Sequence, residues 1–258
     1  MKALKMSGAG NDFVVADVRG MQPDLKALAV YLCKKFDTDG FLAVDTSETA
    51  DFRLHFYNSD GLRGEMCGNG ARCVCKYACD HGIAGESMTV ETDAGMVYGW
   101  RLGENQYRIR LNNPGITDLQ RLPDTAYIEL GDPGIPHSVT EYPALKWADK
   151  EALRPDFLNI RHNPLFPKGV NVNFYQPLTD SSVRILTFER GVEDFTLACG
   201  TGSASVAVVL WLQGRLPGGH LTVENPGGRL EITIEGKDRQ IDALYLEGPA
   251  ENLQEIEI

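Results

Sequence analysis

The sequence predicts a mixed α/β fold (α+β) made of two pseudo-symmetric domains, because the same order of elements occurs twice. A Cys-Gly-x-Gly turn followed by a helical run appears in each half, at Cys67 and at Cys199. The glycine that ends the helix follows fifteen residues later in both halves, as Gly82 and as Gly214. A shared turn and a shared helix length indicate one structural unit used twice.

The first third of the chain predicts two strands, a helix, two more strands and a second helix. The strands are expected where short β-like apolar runs occur, at 3–6, 13–17, 41–44 and 52–57. Apolar residues recur at steps of three and four over 23–36, and Pro23 and Asp24 suit the first turn of that helix. The second helix is expected over 70–80, with Gly82 marking its end.

The second half repeats this order with similar spacing. A Thr-Val-Glu strand begins 22 residues after the first motif cysteine, at 89–91, and 23 residues after the second, at 222–224. A Pro-containing stretch over 112–123 separates the two copies. The predicted division is therefore 1–117, which carries Cys67, and 118–258, which carries Cys199.

Composition excludes several classes of protein. The chain has 258 residues, of which 43% are hydrophobic and 24% charged, as expected of a globular protein with a sizeable core. The net charge of −11 argues against nucleic acid or an anionic membrane surface as a partner. The amino-terminal segment lacks a signal-peptide core and no long apolar run occurs, so we expect a cytoplasmic protein with reduced cysteines.

Cys67 and Cys199 each lie at or just before a helix N-terminus. Backbone N–H groups there form an anion site, and their partial positive charge favours a thiolate over a thiol. Two such units facing each other supply two thiols for one substrate. One thiolate removes a Cα proton while the opposite thiol returns a proton to the other face, which inverts the carbon. The alternative for either cysteine alone is a small buried apolar side chain.

A metal site is the alternative for the remaining cysteines of the first motif region. Cys73, Cys75 and Cys79 lie close in sequence to His81. All three cysteines fall on the predicted helix, and neither a CxxC pair nor a second ligand cluster completes a set of four ligands. We therefore expect core packing and no metal.

Six segments carry a family resemblance: Gly8-Ala9-Gly10-Asn11-Asp12-Phe13, Tyr57-Asn58-Ser59-Asp60-Gly61, Met66-Cys67-Gly68-Asn69-Gly70-Ala71-Arg72-Cys73, Gly134-Ile135-Pro136-His137, Glu189-Arg190-Gly191 and Ala198-Cys199-Gly200-Thr201-Gly202. Together they resemble the diaminopimelate epimerase family. The resemblance implies that each domain is a curled β-sheet or barrel around a central helix. It also implies a homodimeric isomerase without cofactor or metal, which interconverts LL- and meso-diaminopimelate for lysine and cell-wall precursor synthesis.

The resemblance assigns roles to residues of this chain. It implies that Cys67 and Cys199 are the acid/base pair. It implies that Glu189 holds the reacting ammonium and that Arg190 suits bidentate recognition of the distant carboxylate. The remaining substrate-binding residues that it implies are Gly68, Asn69, Gly200 and Thr201 as N–H donors to the reacting carboxylate, His137 near the thiols, and Asn11, Asn58 and Asn171 on polar groups.

Local sequence leaves structural alternatives open for some of these residues. Asn58 also suits a turn, Asn11 a loop cap, and Glu189 with Arg190 a structural ion pair. One position departs from the family pattern, which usually has Asn where this chain has Ile135. That asparagine contacts the distal end of the substrate, and an isoleucine side chain has no hydrogen bond to offer.

Two other functions compete with the epimerase. The first is a two-cysteine racemase of another amino acid, such as a proline-like substrate, since proline racemases share a cysteine pair. Arg190, as a residue that binds a second carboxylate, would have no function with such a substrate. The other is an amino-acid-binding or thiol-switch protein, which would exchange no proton at Cα with solvent.

Overall fold

The computed structural model describes residues 2–64 and 67–257, so Met66 of the third motif lies outside the described residues. The chain forms two compact units. Unit 1 comprises Met1–Arg110 and Glu247–Ile258, and unit 2 comprises Leu111–Leu246. The carboxy-terminal segment therefore joins the unit that carries Cys67.

Strands outnumber helices in both units. The strands are β1 (Lys2–Gly8), β2 (Asn11–Asp17), β3 (Gly40–Asp45), β4 (Phe52–Asn58), β5 (Arg63–Gly64), β6 (Ser87–Thr92), β7 (Gly95–Arg101), β8 (Gln106–Leu111), β9 (Pro114–Leu122), β10 (Thr125–Gly131), β11 (Gly134–Glu141), β12 (Asn171–Thr179), β13 (Ser182–Glu189), β14 (Asp194–Thr196), β15 (His220–Asn225), β16 (Gly228–Lys237), β17 (Gln240–Pro249) and β18 (Glu251–Glu257). The helices are α1 (Leu25–Phe36), α2 (Gly68–Asp80), α3 (Lys150–Arg161) and α4 (Gly200–Leu212), with a 3-10 turn at Trp147–Asp149.

The two units repeat the same strand pairing step by step. In unit 1, β1 pairs antiparallel with β2, β2 parallel with β3, β3 antiparallel with β4, β4 parallel with β6, and β6 antiparallel with β7. In unit 2, β10 to β13, β15 and β16 follow the same sequence of orientations. A helix bridges each parallel pair, as parallel strands require. The predicted duplicated α/β fold is confirmed.

A buried helix lies at the centre of each unit. Helix α2 packs on β1, β2, β3 and β7, and helix α4 packs on β10, β11, β12, β15 and β16. Every residue of α2 from Asn69 to Ala78 is buried. The curled sheet of each unit therefore surrounds the helix that begins at its motif cysteine.

The helix boundaries differ from the predicted ones by two residues. Helix α1 begins at Leu25 because Asp24 is its N-cap and accepts a hydrogen bond from the Ala27 N–H at 3.0 Å. Helix α2 begins at Gly68, because Cys67 keeps an extended backbone and acts as its N-cap residue. Within the described ranges, no helix is long and apolar enough to cross a membrane.

Candidate active site

Cys67 occupies the N-cap position of α2. Its backbone is extended, with φ −129° and ψ 121°, and its carbonyl accepts the first helical hydrogen bond, from the Ala71 N–H at 2.7 Å. The residue is half-buried. A helix N-terminus directs its first backbone N–H groups toward a ligand, so the groups of Gly68 and Asn69 suit a carboxylate.

A chain of polar side chains lies beside this helix start. Asn69 Nδ2 donates to Asn11 Oδ1 at 2.6 Å, and the fully buried Arg72 donates through Nη2 to Asn69 Oδ1 at 3.0 Å. Asn11 Nδ2 donates to Asp39 Oδ2 at 3.3 Å. The structure thus brings Asn11 and Asn69 together and fixes the orientation of both amides.

Asn58 is exposed at the end of β4 and has the hydrogen bonds of a turn residue. Its backbone N–H donates to the Leu62 carbonyl at 2.9 Å, its Nδ2 reaches the same carbonyl at 3.4 Å, and its own carbonyl accepts from Gly61. The turn alternative raised for this position therefore has direct structural support.

Cys199 is the N-cap residue of α4 and is only 8% exposed. Its Sγ accepts a hydrogen bond from the Gly202 N–H at 3.4 Å and lies 3.5 Å from Thr201 Oγ1. Burial and the Glu189 carboxylate raise the pKa of the Cys199 thiol well above its usual value, against the lowering effect of those hydrogen bonds. The helix start favours a thiolate at this position, whereas burial and the Glu189 carboxylate shift the pKa of Cys199 in the opposite direction, toward the thiol.

Glu189 and Arg190 end β13 and begin the turn that follows it. Glu189 Oε1 accepts a hydrogen bond from Thr196 Oγ1 at 2.8 Å. The Arg190 backbone N–H donates to Asn171 Oδ1 at 2.9 Å, and Asn171 Nδ2 donates to the Pro136 carbonyl at 3.1 Å. Asn171 therefore ties the Arg190 turn to the strand that leads to His137.

His137 is fully buried on β11. Its Nδ1 lies 3.2 Å from Asn173 Nδ2, and among the described residues its Nε2 has no hydrogen-bond partner. Burial, followed by the positive charge of Arg190, lowers the pKa of the imidazole to about 3. His137 is therefore neutral and lies within the interior of unit 2.

Sequence reasoning missed Asn173, which links several of these groups. Its Nδ2 donates to the Ser138 carbonyl at 2.8 Å, and its Oδ1 accepts from Thr187 Oγ1 at 2.9 Å. The side chains of Asn173 and Thr187 are both buried. The available signal was a second asparagine, two residues after Asn171, within an apolar strand, where alternate residues share a face.

Two cysteines on α2 are core residues. Cys73 and Cys75 are fully buried, and burial raises the pKa of each thiol to about 12. A Cβ added to Gly99 would lie 2.5 Å from the Cys75 sulfur, so β7 packs directly on this side chain. Over 2–64 and 67–257, no group of three or more His, Cys, Asp or Glu side chains is arranged to hold a metal ion.

These features define a class of protein: a duplicated α/β fold whose two central helices each begin at a cysteine. Solved structures share the fold over the full length of this chain. A Bacillus anthracis phenazine biosynthesis protein of the PhzF family superposes with a TM-score of 0.76 at 14% identity, covering 100% of this chain and 98% of that one. A hydroxyproline epimerase from Agrobacterium vitis superposes with a TM-score of 0.71 at 14% identity, covering 100% and 90%.

Sequence comparison identifies the family. The diaminopimelate epimerase model matches residues 3–108 and 133–253. A diaminopimelate epimerase from Chlorobaculum tepidum is 36% identical, covering 95% of this chain and 96% of its own. One from Aquifex aeolicus is 35% identical, covering 83% and 82%. The chain belongs to the diaminopimelate epimerase family.

Proposed function

We propose that this protein interconverts LL- and meso-diaminopimelate with two cysteine sulfurs, one removing the Cα proton and the other delivering a proton to the opposite face. The observation that carries the proposal is the equivalent placement of Cys67 and Cys199, each at the start of the central helix of its unit. Family membership supports the substrate, since the relatives described above are named for this reaction.

Inversion requires one ionised and one protonated sulfur at the start of each turnover. Cys199 meets the second requirement, because burial and Glu189 raise its thiol pKa. Cys67 as a thiolate then removes the Cα proton while Cys199 delivers its proton to the opposite face, and the roles reverse in the other direction. After one turnover Cys67 carries a proton and Cys199 is ionised. The enzyme is then in the form that catalyses the reverse reaction.

Charge develops on the reacting carboxylate as the Cα proton leaves. The backbone N–H groups at the starts of α2 and α4 stabilise this charge, with Gly68 and Asn69 contributing from one helix and Gly200 and Thr201 from the other. Within each unit, the hydrogen-bonded first turn of the helix fixes the direction of its own N–H groups.

The remaining contacts decide which amino acid binds. Glu189 holds the reacting ammonium, and Arg190 binds the distal carboxylate in a bidentate manner. Asn171 supports the Arg190 turn, since its Oδ1 accepts from the Arg190 N–H and its Nδ2 donates to the Pro136 carbonyl. Asn11 and Asn58 complete the polar lining, and His137 contacts Asn173, on which the first turn of α4 packs.

The biological setting follows from the substrate. Interconversion of diaminopimelate isomers supplies lysine and peptidoglycan precursors, which are made in the cytoplasm. We further propose that the protein acts as a homodimer on this small-molecule substrate and needs no cofactor. The family resemblance of the whole chain supports these statements.

Deuterium incorporation at Cα tests the proposal. The purified protein is incubated with LL-diaminopimelate in heavy water, the Cα signal is followed by NMR, and the isomers are separated by chiral chromatography. We expect solvent deuterium in the product isomer. We expect Cys67→Ala and Cys199→Ala each to lower the rate by about 100-fold or more. Cys79→Ala, which removes a thiol from the far end of α2, serves as the control.

Three outcomes are distinguishable in the same assay. Wild-type turnover in either alanine variant at the motif cysteines would contradict the two-thiol mechanism. Exchange with proline or 4-hydroxyproline, but not with diaminopimelate, would identify a racemase of a different substrate. Absence of exchange with every amino acid would leave only a binding or thiol-switch role.

A further inference from the structure

The Arg190 guanidinium is oriented by a neighbouring backbone segment. Its Nη1 donates to the Lys168 carbonyl at 2.7 Å. The next residue, Gly169, has φ +67°, and a Cβ there would lie 3.1 Å from Arg190 Cδ and 2.6 Å from Arg161 Nη1. The short segment at Lys168 and Gly169 therefore sets both the direction of the guanidinium and the room for its aliphatic stem.

Lys168 is in turn fixed by a buried carboxylate. Its Nζ lies 3.1 Å and 3.3 Å from the two carboxylate oxygens of Glu129, a residue of β10 that is 4% exposed. Tyr127 donates a hydrogen bond to Glu129 Oε1 at 2.5 Å. Burial acts against ionisation of Glu129, but the Tyr127 hydroxyl and the Lys168 ammonium hold its pKa below the usual value.

Folding stability alone does not explain why Glu129 is a buried carboxylate. Moving a charge out of water costs several kcal/mol, and well-packed apolar side chains often replace a buried ion pair without loss of stability. Glu129 also packs tightly, because a Cβ on Gly134 would lie 2.6 Å from the Glu129 Cβ. An apolar residue would fill this position, but only an anion would hold the Lys168 ammonium.

We propose that Glu129 is a positioning residue for Arg190: its ion pair with Lys168 fixes the carbonyl that aims the guanidinium at the distal carboxylate of the substrate. The inference rests on the proposed function, in which Arg190 binds that carboxylate. It extends the site from the Arg190 turn to β10, through Lys168. It also predicts an effect on substrate binding rather than on proton transfer, since neither Glu129 nor Lys168 contacts the motif cysteine of unit 2.

Kinetics of four variants test the inference. We expect Glu129→Gln and Lys168→Met each to raise KM for LL-diaminopimelate about fivefold while kcat changes less than about twofold. Lys168→Arg keeps the ion pair and should restore a KM close to that of the wild type. The control is Glu141→Gln, because Glu141 also accepts from a tyrosine, Tyr175, and from a cation, Arg215, but at the opposite end of β11 from Ile135.

The double variant Glu129→Gln with Lys168→Met should bind substrate no worse than the poorer single variant, because both changes break one link. If Glu129→Gln fails to fold, the test rests on Lys168→Met, because Lys168 is exposed and its substitution disturbs the core less. A wild-type KM in Lys168→Met, or equal losses in the Glu141→Gln control, would overturn the inference.

Arg190→Met, measured in parallel, separates this inference from the proposed function. If Arg190→Met raises KM and Glu129→Gln does not, only the positioning role fails. If Arg190→Met leaves KM unchanged, the assigned role of Arg190 fails, and the positioning role fails with it.

Discussion

Gly202 lies directly on the side chain of Asn173: a Cβ added to this glycine would collide with Asn173 Oδ1. The first turn of α4 thus rests on a buried amide that also binds the Ser138 carbonyl and the Thr187 hydroxyl. The same glycine donates its N–H to the Cys199 sulfur. The position of the Cys199 sulfur therefore depends on the absence of a side chain at Gly202, one helical turn further on.

Gly202→Ala is expected to disturb this contact. The added methyl must push away either the amide of Asn173 or the first turn of α4, so we expect the free energy of unfolding to fall by about 1 to 3 kcal/mol. We expect kcat to fall about tenfold or more, since the hydrogen bond to Cys199 is displaced. Gly218→Ala is the matched control, because a Cβ at Gly218 meets no atom within 4 Å. Equal effects of the two substitutions on melting temperature and rate would contradict this account.

The duplicated fold places different side chains beneath its two cysteines. In unit 1 the residue under Gly70 is Leu42, whose Cδ2 would lie 3.2 Å from a Cβ on that glycine. The parallel pairing of β2 with β3 begins at Phe13 and Gly40, and that of β11 with β12 begins at His137 and Asn171. Leu42 and Asn173 each lie two residues further along, so they occupy equivalent positions. An apolar side chain supports the Cys67 end, and a hydrogen-bonded amide supports the Cys199 end.

Asn173→Leu, which copies the unit 1 side chain into unit 2, should be destabilising. It removes the acceptor of the buried Thr187 hydroxyl and one donor to the Ser138 carbonyl, and a buried group left unpaired costs about 1 to 3 kcal/mol. We expect chemical denaturation to show a loss in that range. Asn252→Leu, an exposed amide on β18, is the control. A variant as stable as the wild type would show that the amide network contributes nothing to folding.

His137 predicts a pH dependence of stability. Its pKa is lowered to about 3 in the folded chain, mainly by burial, while the unfolded chain takes up a proton near pH 6.5. Between these values the unfolded state binds the extra proton, so stability is complete above about pH 6.5 and falls as the pH decreases toward 3, by up to about 1.4 kcal/mol per unit. We expect His137→Gln to flatten the slope measured by urea unfolding between pH 6.5 and pH 4. His162→Gln, at an exposed histidine, should leave it unchanged.

Local spacing was enough to predict the elements that position the site. The periodicity of 23–36 and the two Cys-Gly-x-Gly turns depend on neighbouring residues, and the structure has a helix at each of these three places. Glu129 and Asn173 could not be predicted in the same way, because Lys168, which pairs with Glu129, and Ser138 and Thr187, which bind Asn173, are distant from them in sequence. The direction in which the Cys199 pKa is shifted could not be predicted either, because burial is its largest cause and no local sequence pattern reports the burial of a helix start.

Ile135 allows a direct test of substrate identity. It is half-buried on β11, paired with Leu130, where the family usually has an asparagine that contacts the distal end of the substrate. We expect Ile135→Asn to increase kcat/KM for LL-diaminopimelate by up to about tenfold, which corresponds to about 1.4 kcal/mol for one added hydrogen bond. Arg190 keeps guanidinium N–H donors for the same polar end beyond the one that binds the Lys168 carbonyl, and an apolar substrate tail would offer them no acceptor.

Ile135→Leu separates polarity from shape in this test, since it changes the branching of the side chain but adds no hydrogen bond. We expect Ile135→Leu to leave kcat/KM within about twofold of the wild type. A substrate with a less polar tail would give the opposite result for Ile135→Asn, because the new amide would be buried against it without a partner. If diaminopimelate is inert with both the wild type and Ile135→Asn while another amino acid is racemised, the substrate assignment is wrong and the two-thiol chemistry still holds.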